Sequence, residues 1–264
     1  MISEWVRKFN WFRQHFYEIS YSKKLVSVKE VGVPDVFLGP VTYCEDSLAT
    51  SNNSGFITEP RFAQAYALAR ATNPWEGFTS HWRTYIVCWF ADLVKNLEGD
   101  FVECGVNTGA YSRAVIDYTG FELLDKTFYL LDSFEGMDPG LFTEDEIKRG
   151  IRTYLDHYSN VFDEVTRTFA GFNVKIIKGY VPATLKECPA SRICYLSIDM
   201  NSVVPEIEAM NYFWPKVVKG GVVILDDYGF PMHINQKKAF DEFALQHHQT
   251  ILSLPTAQGI IIKR

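Results

Sequence analysis

The sequence predicts a doubly wound α/β protein built on a mostly parallel sheet. From residue 100 onward, short apolar runs alternate with stretches of helical spacing, which is typical of parallel strands connected by helices. The runs are apolar along most of their length, so we expect helices to cover both faces of the sheet. The last segment, TILSLPTAQGIIIKR, predicts two strands joined by a short turn, which would form an antiparallel edge.

The elements of this domain follow one another without an internal repeat. The predicted strands are residues 100–104 (DFVEC), 127–132 (TFYLLD), 173–179 (NVKIIKG), 193–199 (ICYLSID) and 222–227 (VVILDD). The predicted helices between and after them are residues 110–119, a stretch near 144–171, 182–188, 203–214 and 235–247.

Residues 1–98 are predicted to form an N-terminal helical cap, and residues 99–264 the sheet domain. The first helix would place Trp5, Phe9, Phe12 and Phe16 on one side. A loop-like middle follows, and two further helices are predicted at 59–72 and 79–97. Because a soluble monomer would have to hide such an aromatic face, we expect this segment to contribute to a homo-oligomer, most simply a homodimer.

The overall composition excludes several classes of protein. The chain has 264 residues, 47% of them hydrophobic, and a net charge of −6, which disfavours binding to nucleic acid. No apolar run is long enough for a membrane span, and the N-terminus has no secretory signal pattern. The five cysteines are odd in number and irregularly spaced, as expected of reduced thiols in a cytoplasmic protein.

A glycine-containing turn after the first predicted sheet strand indicates a nucleoside cofactor. The stretch FVECGVNTGAYSRAV places Glu103 at the strand end, followed by Gly105 and Gly109. Glycines allow a tight strand-to-helix turn and a close approach of the backbone to a ligand. Asp132 ends the next strand, 23 residues after Gly109, where an acidic side chain can accept hydrogen bonds from ribose hydroxyls.

Three carboxylates at later strand ends predict a metal site. Asp199 ends the fourth predicted strand, and Asp226 and Asp227 end the fifth. Ligands in open parallel sheets bind at the carboxyl ends of the strands, and adjacent strands lie only about 4.8 Å apart. Carboxylates without Cys or His partners suit a hard cation such as Mg²⁺, Mn²⁺ or Ca²⁺. Alternatively, one of the paired aspartates caps a turn.

The motifs together resemble the macrocin and mycinamicin family of sugar O-methyltransferases. The resemblance extends over roughly residues 79–250, through GDFVECGVNTG, FYLLDSFEGM, KGYVPATL, SIDMN and GGVVILDDYGFP. It implies a seven-stranded, Rossmann-like fold of the class I methyltransferases, S-adenosyl-L-methionine as the cofactor, and a divalent cation, with Mg²⁺ expected. The implied partner is a small hydroxylated acceptor that contains a sugar or resembles a polyol.

The resemblance also implies roles for individual residues. Glu103, Gly105 and Gly109 would surround the methionine part of the cofactor, Asp132 would bind the ribose, and Ser133 would lie beside the adenine. Further cofactor contacts are expected from the segment before a long helix and from a wall of the adenine site: Thr79, Ser80, His81, Gly179 and Tyr180. The metal ligands would be Asp199, Asp226 and Asp227.

The chain departs from the family pattern at one chemically important position. Family members usually have an Asp-Gly-Asp sequence in which the second Asp is a candidate general base, whereas this chain has Asp199-Met200-Asn201. An amide cannot accept a proton from a hydroxyl. The expected catalytic residues are therefore Asp199 and Asp227, with His233 as a replacement base and His157 as a second candidate.

Two other functions remain open at this level. A nucleotide-dependent oxidoreductase would also use a glycine loop and an acidic residue after the second strand, but it would not explain Asp226 and Asp227. A non-catalytic member that retains the cofactor fold is favoured by Asn201.

Overall fold

The computed structural model describes residues 42–264, which divide into two units. The first unit runs to Phe56, and its described part contains a small antiparallel hairpin of β1 (Tyr43–Glu45) and β2 (Leu48–Thr50). Asp46 and Ser47 form the turn with φ of 52° and 61°, the left-handed conformation that two-residue hairpin turns require. The sequence pattern predicts a loop here, because strands of three residues are too short to show an alternation of apolar and polar residues.

The second unit, Ile57–Arg264, is built on a seven-stranded sheet with the order β5-β4-β3-β6-β7-β9-β8. The strands β3 to β7 are parallel, and β9 and β8 add an antiparallel edge. Their bounds are β3 (Asp100–Cys104), β4 (Phe128–Asp132), β5 (Val174–Lys178), β6 (Ile193–Ile198), β7 (Val217–Leu225), β8 (Leu252–Ser253) and β9 (Gly259–Ile262). The predicted fold class is confirmed.

Seven α-helices accompany these strands in residues 57–264. They are α1 (Pro60–Ala71), α2 (His81–Val94), α3 (Ala110–Thr119), α4 (Glu144–Lys148), α5 (Phe162–Phe169), α6 (Val203–Phe213) and α7 (Ile234–Gln246). The helices α1 and α2 both pack against α3, so they lie against the helix that follows the glycine loop. No helix within residues 42–264 has the length and apolarity needed to cross a membrane.

The strand order places a crevice at the carboxyl ends of β3 and β6. From β3 the chain continues outward to β4 and β5, and from β6 it continues in the opposite direction to β7. Ligands of doubly wound sheets bind where the strand order reverses in this way. The glycine loop follows β3 and Asp199 follows β6, so both lie at this crevice.

The predicted helix near 144–171 is wrong in its continuity. The structure has the short helix α4, a 3₁₀ stretch Ile151–His157, and then α5. Gly150, with φ of +91°, ends the first helical segment in a left-handed conformation. The predicted helix at 182–188 is reduced to a 3₁₀ turn at Leu185–Glu187.

The strand before the paired aspartates is longer than the sequence pattern predicts, and it ends earlier. It begins at Val217 and ends at Leu225, so Asp226 and Asp227 lie in the turn after the strand rather than within it. Gly220 and Gly221 interrupt the apolar pattern and obscure the first half of the strand. Of the N-terminal predictions, the aromatic face of residues 5–16 lies outside the described residues.

Candidate active site

The loop after β3 needs glycine at position 105 for space as well as for conformation. Gly105 has φ of +85°, and a Cβ atom there would lie 1.7 Å from the backbone oxygen of Asp199. The backbones stay close because Asp199 N donates to Cys104 O at 2.8 Å. Gly109 also has φ of +85°, and a Cβ atom there would meet the ring of Phe169 at 2.5 Å. The glycine loop is therefore in direct contact with the end of β6.

Asp132 holds the glycine loop from the neighbouring strand. Its Oδ2 accepts from Val106 N at 2.5 Å and from Asn107 N at 2.8 Å, and its Oδ1 accepts from Phe134 N at 2.6 Å. Burial raises the pKa of Asp132, and these donated hydrogen bonds oppose that rise. The carboxylate thus lies at the loop, where the ribose of a nucleoside cofactor is expected.

Glu103 is a buried carboxyl group beneath the same loop. Its side chain is only 2% exposed, and Ser112 Oγ donates a hydrogen bond to Oε2. Burial raises the pKa of Glu103 to about 8, with further upward contributions from the charges of Asp226 and Asp132. The group is therefore largely protonated and uncharged at neutral pH.

Two residues at the start of α2, Ser80 and His81, contact α3 and α1. Ser80 is fully buried, with Oγ 3.1 Å from Tyr111 Oη, and its carbonyl accepts from Thr84 N at 3.0 Å. The His81 ring stacks on Tyr66 with centroids 4.0 Å apart. The segment Thr79–His81 is thereby packed close to the start of α3, which the glycine loop leads into.

The remaining expected cofactor residues lie at the ends of β4 and β5. Ser133 Oγ donates to Gly136 O at 2.5 Å, and Gly179 N donates to Asp132 O at 2.8 Å. Tyr180 is 40% exposed and lines a cavity of about 370 Å³ together with Asp138, Leu141, Val181, Pro182, Ala183 and Lys186. This open cavity could accept a planar ring.

The three expected metal ligands converge at the ends of β6 and β7. One carboxylate oxygen from each of Asp199, Asp226 and Asp227 lies within 4.8 Å of the others. Asp226 and Asp227 are 2% and 7% exposed, and Asp199 is partly buried. Burial raises the pKa of Asp199 well above its usual range, and the charges of Asp226 and Asp227 raise it further. Such a cluster is costly to keep ionised without a nearby positive charge.

Asp226 and Asp227 differ in the hydrogen bonds that their carboxylate oxygens accept. Asp226 Oδ2 accepts from Arg83 Nη1 at 2.5 Å, and Asp226 Oδ1 accepts from Gln258 Nε2 at 2.9 Å. Asp227 Oδ2, by contrast, is buried and has no hydrogen-bond partner among residues 42–264, since His233 Nε2 is 3.6 Å away. A buried carboxylate oxygen without a donor offers a position that a cation could occupy.

The donor set and its dimensions fit a hard divalent cation. All three ligands are carboxylate oxygens, which Mg²⁺, Mn²⁺ and Ca²⁺ prefer. Oxygens that bind Mg²⁺ at ~2.1 Å lie ~3.0 or ~4.2 Å apart, whereas Ca²⁺ at ~2.5 Å allows ~5 Å. Separations within 4.8 Å therefore suit either ion after small side-chain rotations.

Asn201 lies beside the cluster and links it to Tyr158. Its Nδ2 is 3.3 Å from both Asp199 Oδ1 and Tyr158 Oη. Burial and the nearby charges of Asp199 and Asp227 raise the pKa of Tyr158, so the phenol keeps its proton. The amide therefore donates to Asp199, where a second carboxylate would have repelled it.

Two buried glutamates shape the loop that carries Asn201. Glu206 Oε1 accepts from Met200 N at 3.1 Å, and Glu146 Oε1 accepts from Val203 N at 2.8 Å. Glu146 also closes a capping box with Thr143 at the start of α4. The loop is thus fixed from α6 and from α4 on either side.

Of the two candidate histidines, only His233 faces the acidic cluster. It is 6% exposed, its Nε2 points to Asp227, and its Nδ1 is 2.9 Å from Gln236 Nε2. His157 is exposed, and its ring contact is with Tyr154. Tyr154 in turn lies between the two histidines, with a centroid 6.1 Å from that of His233.

Three further site residues are not evident from the sequence: Arg83, Tyr158 and Gln258. The hydrogen-bond partner of each lies more than 30 positions away in the chain, and none of the three is part of a recognisable motif. The only local signal is that Arg83 lies within an otherwise aromatic and apolar helix.

We expect replacement of Gly105 by Ala to destabilise the protein far more than an equivalent change elsewhere. Gly171 is the matched control, since it has φ of +95° and no atom within 4 Å of an added Cβ. Gly171→Ala should lower the free energy of unfolding by ~1 kcal/mol, the cost of the left-handed conformation alone. Gly105→Ala adds a clash with backbone and should cost at least ~2 kcal/mol more in urea unfolding. Equal losses would contradict the close contact.

The raised pKa of Glu103 predicts a pH-dependent effect of Glu103→Gln on stability. A carboxyl group with a pKa raised from 4.5 to about 8 binds its proton more tightly when folded, so its contribution is present below pH 4.5 and is lost as the pH rises to 8. Gln lacks this loss and retains an acceptor for Ser112. Between pH 5 and pH 8, urea unfolding should therefore show the variant gaining ~3–4 kcal/mol relative to wild type. Parallel pH profiles of the two proteins would rule out a buried, protonated Glu103.

The chain is similar to known O-methyltransferases. The family model described as macrocin-O-methyltransferase (TylF) matches residues 87–253. A mycinamicin III 3''-O-methyltransferase of Micromonospora griseorubida is 25% identical over 158 residues, covering 54% of this chain and 61% of that protein. A demethyldecarbamoylnovobiocin O-methyltransferase of Streptomyces niveus is 29% identical over 147 residues, or 51% of this chain and 54% of that protein. The chain thus spans little more than half the length of these relatives.

Solved structures support the fold. The structure of the O-methyltransferase NovP superposes with a TM-score of 0.60 at 22% sequence identity. The superposition covers 69% of this chain and 79% of NovP. At this level of identity the likeness establishes the shared architecture, and the resemblance found in the sequence motifs is confirmed by the family match.

Proposed function

Because the chain belongs to the macrocin O-methyltransferase family, we propose that it is an S-adenosylmethionine-dependent O-methyltransferase assisted by a divalent cation. The acceptor would be a hydroxyl group on a sugar or polyol-like small molecule, as the rhamnosyl group in the name of an O-methyltransferase of Streptomyces olivaceus, 28% identical over 148 residues, suggests. The observation that carries this proposal is the position of the glycine loop against the acidic cluster. Gly105 contacts the backbone of Asp199, so a cofactor at the loop and a cation at the cluster would be neighbours.

The proposed cofactor site follows the carboxyl ends of β3, β4 and β5. We assign Asp132 to the ribose hydroxyls and the loop of Gly105 and Gly109 to the methionine part. Glu103 beneath the loop adds no negative charge at neutral pH and supports the fold of that loop. When bound, S-adenosylmethionine supplies an electrophilic methyl group for a one-step displacement. The site's main task is then to align the acceptor oxygen with that methyl group.

The outer parts of the cofactor site are assigned to residues at its rim. We propose that Ser133 and the wall of Gly179 and Tyr180 hold the adenine at the open cavity. The segment Thr79–His81 would cover the cofactor from the side of α2, because Ser80 and His81 are packed next to the start of α3.

The proposed cation site uses Asp199, Asp226 and Asp227. When bound, Mg²⁺ or a related ion supplies the positive charge that lowers the pKa of an acceptor hydroxyl. Asp227 would present the oxygen that has no donor among the described residues. This arrangement compensates in part for the amide at Asn201, which cannot accept the hydroxyl proton.

We assign the remaining proton transfer to His233. In the orientation described, Gln236 Nε2 faces His233 Nδ1, which leaves the ring hydrogen on Nε2. Reversal of the Gln236 amide would bring its unpaired Oε1 to Nδ1 and make it the acceptor there. The lone pair of His233 would then be on Nε2, facing the acidic cluster, where it can accept a proton.

A second candidate function follows from Asn201. Its amide donates to Asp199 and contacts Tyr158, so the usual base is replaced by a group that stabilises the cluster without accepting a proton. A family member that binds the cofactor without turnover is the corresponding alternative. It would bind S-adenosylmethionine and methylate no acceptor in a broad panel of sugars and glycosides.

We also propose an oligomeric state and a cellular location for the protein. We propose that residues 1–98 form a helical cap and take part in a homodimer, since the sequence predicts a first helix with an aromatic face. All five cysteines are free thiols, and four of them are buried, which supports a reducing, cytoplasmic environment.

We expect the protein to bind S-adenosylhomocysteine with a micromolar dissociation constant. Asp132→Ala should weaken this binding about 10- to 150-fold, because the loss of a charged hydrogen-bond acceptor costs ~1.5–3 kcal/mol. Calorimetry on both proteins measures the effect, and Asp163→Ala, an exposed change on α5, is the control. Absence of binding by the wild type, together with clear binding of a nicotinamide dinucleotide, would favour an oxidoreductase instead.

We expect methyl transfer to require a divalent cation and Asp227. Exhaustive chelation and Asp227→Asn should each lower turnover by ~10²-fold or more, since the cation contributes several kcal/mol. Mg²⁺ or Mn²⁺ should restore the chelated wild type and not the variant, while S-adenosylhomocysteine binding stays within ~3-fold of wild type. Glu208→Gln, an exposed change on α6, is the control. Full activity without any divalent ion would contradict the metal site.

A further inference from the structure

We infer that Arg83 is an internal counter-ion of the acidic cluster that competes with a divalent cation for Asp226. The inference rests on the proposed cation site and adds a residue that the sequence motifs do not contain. We expect the ion pair to weaken the affinity of the site for a divalent cation. That affinity then depends on Arg83 in α2 as well as on the three ligands.

The first step is the geometry of the ion pair. Arg83 Nη1 donates to Asp226 Oδ2 at 2.5 Å, with the two side chains 12% and 2% exposed. The guanidinium also lies over the Phe230 ring, 5.5 Å from its centroid. An ion pair so well shielded from water interacts much more strongly than a surface pair.

The second step is that both oxygens of Asp226 already accept hydrogen bonds. The Oδ1 atom accepts from Gln258 Nε2 at 2.9 Å, and Thr256 Oγ1 donates to Gln258 Oε1 at 3.0 Å, which fixes the orientation of the amide. A cation that binds Asp226 must therefore compete with a hydrogen-bond donor for the carboxylate oxygen. Asp227 Oδ2 presents no such competition among the described residues.

The third step is the charge balance. When all three carboxylates are ionised, as cation binding requires, they and the Arg83 guanidinium sum to −2, the charge that a divalent cation neutralises. Without Arg83 the same site would carry −3 and would attract a cation more strongly. Arg83 thus allows the carboxylates to share one buried site before any metal binds.

The position of Arg83 gives this competition a structural consequence. Arg83 lies in the first turn of α2, two residues after the segment Thr79–His81 that we assign to the cofactor. Asp226 is separated from it by 143 positions in sequence. A change in the contact between Arg83 and Asp226 would therefore alter the packing of the start of α2 and of the adjacent segment Thr79–His81.

The test measures Mn²⁺ binding to the chelated full-length protein by the loss of its free-ion paramagnetic resonance signal. We expect Arg83→Met to bind Mn²⁺ about tenfold or more tightly than wild type, because a competing charge is removed. Arg83→Lys retains the charge and should stay within about threefold of wild type. Arg61→Met is the matched control, since Arg61 forms a more exposed pair with Asp92. Equal or weaker Mn²⁺ binding by Arg83→Met would overturn the inference.

Thermal unfolding supplies a second readout and guards against a variant that folds poorly. Chelation should lower the melting temperature of Arg83→Met more than that of wild type, and Mn²⁺ should restore it, because Asp226 has then lost its internal cation. An equal response of the two proteins would overturn the inference. If neither wild type nor Arg83→Met binds Mn²⁺, the proposed cation site itself fails. If both bind it equally, only the role of Arg83 fails.

Discussion

The crowding of buried carboxylates at the ends of β6 and β7 is the constraint on which the rest of the site depends. Parallel strands end at one edge, so acidic residues that follow adjacent strands are brought together by the fold itself. Within 4.8 Å of one another and largely buried, the three aspartates repel unless positive charge or proton donors reach them. Arg83, Gln258 and Asn201 each supply part of that compensation from a different element.

The pairing of β3 with β6 explains why the glycine loop is so close to the cluster. The hydrogen bond from Asp199 N to Cys104 O continues the pairing of β3 and β6 beyond the strands, and only Gly105 leaves room for it. Asp132 then holds the loop from β4 through two backbone amides. The glycine loop and the acidic cluster are therefore parts of one hydrogen-bonded edge of the sheet.

The sequence was sufficient for the sheet and for the acidic residues, because both depend on local patterns. Apolar runs such as ICYLSI are visible without any tertiary information, and so is an aspartate that follows them. The breaks in the 144–171 region were not visible, because Gly150 and the 3₁₀ stretch interrupt a composition that still looks helical. The length of β7 was hidden by its two internal glycines.

The partners of the site residues could not be read from the sequence, because they come from distant elements whose packing only the fold determines. Arg83 is the clearest case, because its helix is mostly aromatic and apolar and the ion pair that it forms with Asp226 spans 143 positions of the chain. Asn201 shows the converse, since its departure from the family pattern was visible in sequence while its contacts were not. An Asp at this position, as in the family pattern, would add a fourth negative charge to the cluster. The Asn201 amide instead donates to Asp199, so the residue that cannot act as a base also makes the cluster easier to bury.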